Sequence, residues 1–201
     1  MRVRQSAGAE NSYLEILLYQ NRLQLATDDA LYSDGDKYVP AVTAVSNLKS
    51  FLPYIKTVLV LGAGLCSMVH VIRRKEFDPY FTLVEKDKVV LEWAMEFLEP
   101  NGPHKTQPIC NDAQVFMRSN TSMYDFVFVD VFKGRVVPQF VITEEFLRQC
   151  RNSLSPGGHI AFNYIVNDAN EWEDVKKTFS SVFPGNKIIQ SGANRILIAE
   201  S

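Results

Sequence analysis

An apolar run that ends in a glycine-rich turn constrains the fold of this chain more than any other feature. The run Val58–Leu61 precedes Gly62 and Gly64, and a helical pattern begins directly after them. A continuous run of this kind is typical of a parallel strand that is buried on both faces. Glycine lets the backbone turn tightly and approach a ligand closely. The stretch therefore predicts a strand–turn–helix unit whose turn either holds a ligand or only reverses the chain.

The same order of strand and helix recurs along the rest of the chain. Because strands that alternate with helices form parallel sheets, the sequence predicts an α/β fold with a doubly wound, mostly parallel seven-stranded sheet. The last two strands, NKIIQS and RILIAE, are predicted to pair as a hairpin around residues 192–194. The earlier strands are predicted from Thr57 and at 80–85, 107–110, 124–130 and 159–165, the last after a Pro-Gly-Gly turn at 156–158, and the helices at 65–75, 86–99, from Asp112, at 143–154 and at 169–183.

The first part of the chain has a different pattern. The segment SYLEILLYQNRLQLAT alternates apolar and polar residues on both sides of Gln20 and Asn21, which predicts a β-hairpin. A polar loop, DDALYSDGDKY, should follow, and then a helix from Asp36. We divide the chain into an N-terminal β-hairpin extension at 1–35 and a Rossmann-like cofactor-binding catalytic domain at 36–201. Since two strands alone are marginally stable, the hairpin is a candidate element for a homodimer.

Composition and charge exclude several classes of protein. A chain of 201 residues can form one sizeable core, and no apolar run has the length of a membrane span. The net charge is −2 with both signs interspersed, so neither a nucleic-acid footprint nor a polybasic membrane patch is expected. Three widely spaced cysteines predict no disulfide framework and a cytoplasmic location. No Cys/His cluster has zinc spacing, and no metal site is predicted.

Acidic side chains stand at the ends of three predicted strands. Glu85 follows the glycines by roughly twenty residues, where a carboxylate can grip ribose hydroxyls. The alternative is a solvated strand end or a partner for Lys86 or Lys88. Asp112 could accept a hydrogen bond from an adenine amino group, or it could cap the next helix.

A third carboxylate and a basic loop follow the fourth predicted strand. Asp130 could position an amine nucleophile and take its proton, or it could bond loop N–H groups. Lys133 and Arg135 are either solvated or in contact with an acidic substrate group. Tyr13, Tyr32 and Tyr38 are candidates to cover the cofactor or substrate, and a packing role is equally compatible with the pattern.

Together these motifs resemble the spermidine synthase family, within the class I S-adenosylmethionine-dependent methyltransferase fold. The motifs are VLVLGAG, FTLVEKDKVVLEWA, NDAQVFM, YDFVFVDVFKG and TEEFLRQCRNSLSPGGHIAFN, together with the hairpin and YSDGDKYVP before them, and the resemblance runs from about Ser12 to Ile165. It is strongest to short bacterial synthase-like members. The resemblance implies a cofactor without a phosphate, which explains why the third glycine of a dinucleotide fingerprint is missing.

The resemblance also implies roles for particular residues. The glycine turn should face the methionine part of the cofactor, Glu85 should hold its ribose, Asp112 should contact adenine, and Asp130 should help to deprotonate the acceptor. The implied cofactor is S-adenosylmethionine or decarboxylated S-adenosylmethionine. The implied cofactor-binding residues are Gly62, Ala63, Gly64, Glu85, Lys86, Asp112, Ala113 and Asp130, the implied substrate-binding residues are Tyr38, Val131, Phe132 and Lys133, and the implied catalytic residue is Asp130.

One departure from the family changes the expected substrate. Aminopropyltransferases carry a second acidic residue shortly after the first, and here Lys133 stands in that place. A cation there repels a polyamine, which is itself a polycation. We therefore expect methyl transfer to a small non-polyamine acceptor. The alternatives are aminopropyl transfer in polyamine biosynthesis, a catalytically degenerate binding or dimerisation domain, and, more remotely, a nicotinamide dehydrogenase.

Overall fold

A computed structural model describes residues 1–7, 13–28, 30–98 and 105–201. Ser12, Asp29 and Glu99, which fall in the predicted hairpin, loop and second helix of the α/β unit, lie outside the described residues. The strands are β1 Arg2–Ser6, β2 Leu14–Tyr19, β3 Arg22–Ala26, β4 Leu31–Asp34, β5 Thr57–Leu61, β6 Tyr80–Glu85, β7 Thr106–Cys110, β8 Tyr124–Val129, β9 Leu154–Ile165, β10 Lys187–Ser191 and β11 Asn194–Glu200. The helices are α1 Val39–Asn47, α2 Ser67–Arg73, α3 Lys88–Leu98, α4 Ala113–Ser119, α5 Glu144–Asn152 and α6 Ala169–Val182, and short 3-10 helices span Gly35–Lys37, Leu52–Tyr54 and Gln139–Ile142.

Seven strands form the central sheet, in the order β10-β11-β9-β8-β5-β6-β7. The pairs among β9, β8, β5, β6 and β7 are all parallel. β11 runs antiparallel to β9, and β10 runs antiparallel to β11. The predicted α/β fold and the predicted terminal hairpin are both confirmed.

The central strand shows why its sequence reads as one continuous apolar run. Val58 and Val60 pack into a core that α1, α2 and α3 cover, whereas Leu59 and Leu61 pack into a second core that α4, α5 and α6 cover. Because successive side chains of a strand point to opposite faces, a strand with helices on both faces needs apolar residues at every position. The sheet is therefore doubly wound, as the alternating pattern predicted.

The N-terminal sheet is larger than the predicted hairpin. β2 and β3 form that hairpin, and its turn residues Gln20 and Asn21 both have positive φ, 47° and 59°. β1 and β4 extend it to four antiparallel strands. The prediction of a polar loop before Asp36 is wrong, because β4 is held there by backbone pairing with β3 and by the buried Ser33 hydroxyl, 2.5 Å from that of Ser67. Because backbone groups and a buried hydroxyl stabilise this strand, its sequence lacks the alternation of apolar and polar residues from which a strand is predicted.

Three boundaries differ from the predictions for local reasons. The first long helix begins at Val39, because a 3-10 turn occupies the segment after Gly35. The helix after the glycine turn begins at Ser67, because Cys66 has the left-handed φ of 60°. Strand β9 begins at Leu154, and the predicted Pro-Gly-Gly turn lies within it, with Gly157 at φ 73° and a register shift against β8.

The N-terminal sheet and the α/β part share one core. Leu14, Ile16 and Leu25 are fully buried in the same cluster as the first helices of the α/β part. The division of the chain at residue 35 stays a prediction. Along the described ranges, no helix combines the length and the apolar character that a membrane crossing requires.

Candidate active site

A cavity of about 360 Å³ opens at the carboxyl ends of the central parallel strands. The registers of β5, β6, β7 and β8 align these ends at one edge of the sheet, where ligands of open α/β folds bind. All but one of the residues predicted for the site line this cavity: Tyr38, Gly62, Gly64, Glu85, Lys86, Asp112, Ala113, Asp130, Val131, Phe132 and Lys133. Ala63 is buried, but it is not a lining residue.

The cavity has two sides that are built differently. We call the side formed by Gly62, Gly64, Glu85 and Asp112 the glycine side. We call the side formed by Tyr32, Tyr38 and the segment 130–138 the loop side.

The glycine turn brings the ends of three strands together. The N–H groups of Gly62 and Ala63 both donate to the carbonyl of Val84, at 2.9 and 3.1 Å. Gly62 has φ 84°, and a Cβ atom at this position would lie 2.2 Å from the carbonyl oxygen of Asp130. Only glycine fits where the backbones approach so closely. Gly62 therefore has the structural role that was the alternative to ligand binding, and this role places Asp130 beside the turn.

Glu85 is anchored by backbone N–H groups from both directions. Gly64 donates to Oε2 at 3.1 Å, and Asp87 donates to Oε1 at 3.0 Å. Burial raises the pKa of Glu85, the charge of Asp87 also raises it, and backbone hydrogen bonds from Asp87, Gly64 and Lys86 lower it. The ammonium groups of the two lysines named as alternative partners lie near other carboxylates, that of Lys86 3.5 Å from Asp112 and that of Lys88 3.7 Å from Glu92. A carboxylate has about four acceptor sites, so Glu85 keeps capacity for a hydroxyl ligand.

Asp112 caps the helix that follows β7. Its Oδ1 accepts from the N–H groups of Gln114 and Val115 at 2.8 and 3.4 Å, and its Oδ2 lies 3.5 Å from Nζ of Lys86. The capping alternative is thus observed. Because one carboxylate oxygen is used by the cap, only Oδ2 is available to a ligand in the cavity, and the adenine contact stays a prediction.

Asp130 is held through one of its two oxygens. Oδ1 accepts from Nδ2 of Asn163 at 2.7 Å and from the hydroxyl of Tyr38 at 3.3 Å. The pKa of Asp130 is raised to about 7. Burial is the largest cause of the rise, the two hydrogen bonds act against it, and the charge of Glu85 adds to it. Among the described residues, Oδ2 accepts no hydrogen bond, so the carboxylate has a fixed orientation and a free oxygen. Such a group can accept a proton near neutral pH.

Sequence reasoning missed the residue that orients Asp130. Asn163 lies in β9 and is only 1% exposed. Its Oδ1 accepts from Nδ2 of Asn194 at 2.8 Å, which fixes the amide so that its N–H points to Asp130. A polar residue inside the apolar run HIAFNYI was the available signal, since a buried amide needs partners.

The loop side is held by contacts between distant segments. Lys133 and Val136 exchange two backbone hydrogen bonds at 2.9 and 3.1 Å, and the N–H of Gly134 donates to the hydroxyl of Tyr32 at 2.5 Å. Tyr32 therefore lines the cavity and also clamps the loop. Lys133 contributes to the wall, whereas Arg135 is exposed and does not line the cavity.

Other lining residues were not predicted for the site. They are Ala30, Leu31, Val84, Asp87, Val90, Asn111, Gly134, Pro138, Phe140 and Ile165. Most are apolar residues or loop residues whose neighbours become visible only in the folded chain. Within the ranges that the structure describes, no group of three or more His, Cys, Asp or Glu residues is arranged to hold a metal ion.

Comparison with known proteins supports the fold. No protein-family profile matches the chain. A polyamine aminopropyltransferase of Vibrio vulnificus is 26% identical over 168 residues, which cover 81% of this chain and 56% of the relative. The chain thus spans little more than half the length of this curated relative.

Solved structures give the same result. A probable spermidine synthase from Corynebacterium glutamicum superposes with a TM-score of 0.79 at 19% identity, covering 100% of this chain and 79% of that one. Human methyltransferase-like protein 13, solved in complex with SAH, superposes with a TM-score of 0.66 at 21% identity, covering 82% of this chain and 80% of that one. The chain therefore has the spermidine synthase-like class I methyltransferase fold, as the resemblance predicted.

Proposed function

We propose that this protein transfers a group from an S-adenosyl sulfonium nucleoside to a small acceptor. One observation carries the proposal: Glu85, Asp112 and Asp130, from the carboxyl ends of three parallel strands of the sheet, line a single cavity beside the glycine turn. The names of the relatives agree with it, because both aminopropyltransferases and methyltransferases are found among the similar proteins.

The glycine side has the chemistry that an adenosine requires. Glu85 is a fixed, part-buried acceptor at the end of β6, and vicinal ribose hydroxyls are donors that fit a carboxylate. Asp112 has one uncapped oxygen for an amino group, and Ala113 lies next to it in the wall. A volume of about 360 Å³ is within the range of small-molecule sites.

Asp130 is the proposed proton acceptor. When the sulfonium nucleoside is bound, its positive sulfur provides a good leaving group, so positioning of the acceptor supplies most of the rate. Asn163 and Tyr38 hold Oδ1, and Oδ2 is left to take the proton of the nucleophile. A pKa of about 7 keeps a large part of Asp130 in the basic form at neutral pH.

We favour methyl transfer from S-adenosylmethionine to an acceptor that is not a polyamine. Lys133 lines the loop side, and its positive charge opposes a polycation. The second candidate is aminopropyl transfer from decarboxylated S-adenosylmethionine, which is favoured by the name of the Vibrio relative. A cytoplasmic location is part of the proposal. A homodimer stays a prediction; Leu14, Ile16 and Leu25 of the N-terminal sheet are buried in the chain's own core without a partner.

The by-product of the reaction tests the proposal without knowledge of the acceptor. The protein would be incubated with a deproteinised bacterial metabolite extract and either S-adenosylmethionine or its decarboxylated form. Methyl transfer releases S-adenosylhomocysteine, and aminopropyl transfer releases methylthioadenosine, and mass spectrometry separates the two. We expect S-adenosylhomocysteine above the level of an Asp130→Asn control. Formation of neither by-product would reject the transferase and favour a binding domain.

A further inference from the structure

The carboxylates around the cavity are nearly all engaged. Glu85 accepts from two backbone N–H groups, and Oδ1 of Asp130 accepts from two side chains. Asp112 caps a helix and pairs with Lys86. Oδ1 of Asp87 accepts from the N–H of Val89 at 3.0 Å. The ammonium group of Lys86, which also lines the cavity, is therefore already paired with a carboxylate of the protein.

Lys133 differs from the other charged lining residues. Its side chain is exposed at the loop side, and it forms no ion pair with any carboxylate of the described residues. Its backbone is fixed by the two hydrogen bonds with Val136, and Gly134 next to it is clamped by Tyr32. The loop therefore presents an unpaired ammonium group at a defined place on the rim of the cavity.

The surroundings of this ammonium group strengthen its interaction with a ligand. Phe132, Pro138 and Phe140 form neighbouring parts of the wall, and they offer no charge to compensate it. A charge beside apolar walls is screened less than one surrounded by water on all sides, and the exposure of Lys133 keeps the gain modest. An anion that enters the cavity gains a partner at Lys133, whereas a second cation is repelled.

We propose that Lys133 is the anion-binding residue of the cavity, and that the ligands which fill the cavity carry a carboxylate or a similar anion toward it. This inference rests on the proposed function. Two kinds of ligand can supply this anionic group. It is either an acidic group of the acceptor or the carboxylate of S-adenosylmethionine, which the decarboxylated form lacks.

The first arm of the experiment tests the cofactor as the source. Isothermal titration calorimetry would measure the Kd of S-adenosylmethionine and of decarboxylated S-adenosylmethionine for the wild type, Lys133→Met and Arg135→Met. If Lys133 binds the cofactor carboxylate, the wild type prefers S-adenosylmethionine by about fivefold, and Lys133→Met loses that preference. Arg135→Met removes a positive charge from the same loop but outside the cavity, and it should keep the wild-type ratio.

The second arm tests the acceptor with two probes of equal length. Putrescine and 4-aminobutanoate share an amine and a short chain, and they differ in carrying an ammonium or a carboxylate at the other end. Protein saturated with S-adenosylhomocysteine would be titrated with each. If the acceptor supplies the anion, the wild type binds 4-aminobutanoate about fivefold more tightly or better, Lys133→Met loses the difference, and Lys133→Glu reverses it.

A change of the ratio in either arm that is specific to Lys133 supports the inference and identifies the source. The inference is overturned if Lys133→Met changes neither ratio, or if Arg135→Met has the same effect as Lys133→Met. Because Lys133 is exposed, its variants should melt like the wild type. Failure of S-adenosylhomocysteine to bind at all would instead overturn the proposed function, so the two failures are distinguishable.

Discussion

The glycine side and the loop side of the cavity are stabilised by different kinds of contact. On the glycine side, Glu85 and Asp112 are fixed by backbone N–H groups. These donors lie two residues further along the chain or, for Gly64, directly after the neighbouring strand β5. On the loop side, Tyr32 reaches Gly134 and Tyr38 reaches Asp130, over 102 and 92 residues of sequence. The first side is set by the strand ends, and the second by side chains from distant segments.

This difference indicates which properties of the site can change independently. A substitution on the glycine side disturbs the backbone of neighbouring strands as well as the ligand. A substitution on the loop side changes the charge or shape of the wall and leaves the sheet intact. We therefore expect the nucleoside site to tolerate little change, and the acceptor site to be where related chains diverge.

The largest expected effect is that of Gly62→Ala on the glycine side. The new Cβ would lie 2.2 Å from the carbonyl oxygen of Asp130, at a φ of 84°. Strain and overpacking together should lower the free energy of unfolding by about 3 kcal/mol or more. Gly185→Ala is the matched control, since it has φ 75° and open space around it, and it should cost about 1 kcal/mol. If urea denaturation shows that the two variants lose the same free energy of unfolding, the strand ends do not meet as described.

The next effect is that of Asp130→Asn, where the two sides meet. The amide can still accept from Asn163 and Tyr38, but it cannot take a proton. Turnover should fall about a hundredfold or more, with nearly unchanged cofactor affinity. The wild-type rate should rise as the pH increases through about 7, because the basic form of Asp130 is the active one. Turnover close to that of the wild type would make Asp130 structural.

The same carboxylate gives a stability test with a defined sign. Burial raises the pKa of Asp130 from its unfolded value of about 3.9 to about 7. The folded state therefore holds the proton more tightly, and this stabilisation is complete below pH 4 or so and is lost as the pH rises through about 7. The free energy of unfolding of Asp130→Asn minus that of the wild type should therefore be larger at pH 8 than at pH 4. An unchanged difference in chemical denaturation at the two pH values would contradict the burial of this charge.

A smaller effect is expected from Glu85→Ala on the glycine side. Loss of one charge-assisted hydrogen bond should weaken the binding of S-adenosylhomocysteine by at least about 1.5 kcal/mol. Glu92→Ala is the control, because Glu92 lies on the exposed surface of α3 and, within the described ranges, forms an ion pair with Lys88 alone. Isothermal titration calorimetry measures the Kd of S-adenosylhomocysteine for both variants. Wild-type affinity in Glu85→Ala would remove this residue from the site.

The smallest effect is that of Asn163→Ala, which removes a donor from Asp130. Since this hydrogen bond lowers the pKa of Asp130, its loss should move the acid limb of kcat/KM to higher pH by about half a unit to one unit. Asn194→Ala should cause a shift in the same direction but smaller, because it only frees the amide of Asn163. A lower rate without any shift of the pH profile would show that Asn163 acts on packing alone.

The same contrast explains what could be predicted from the sequence. The buried strand before Gly62 and the carboxylates at the strand ends follow local rules of periodicity and topology, and the structure brings them to one cavity. The clamp from Tyr32 to Gly134 and the amide pair behind Asp130 depend on partners that are far away in sequence. The strand at Leu31–Asp34 pairs with the nearby β3 through backbone groups, which its side chains do not signal. Their residues look like ordinary loop or strand residues until the chain is folded.

Backbone NMR during a titration with S-adenosylhomocysteine tests the central claim most directly. The account predicts shifts of the amide signals of Gly64 and Asp87, whose N–H groups anchor Glu85, and of Ala113 in the same wall. The signals of Phe77 and Lys105, beside a separate hollow at the opposite ends of β6 and β7, should stay in place. Saturable shifts at the strand ends would support an adenosine site there. No shift, or shifts confined to that other hollow, would contradict it.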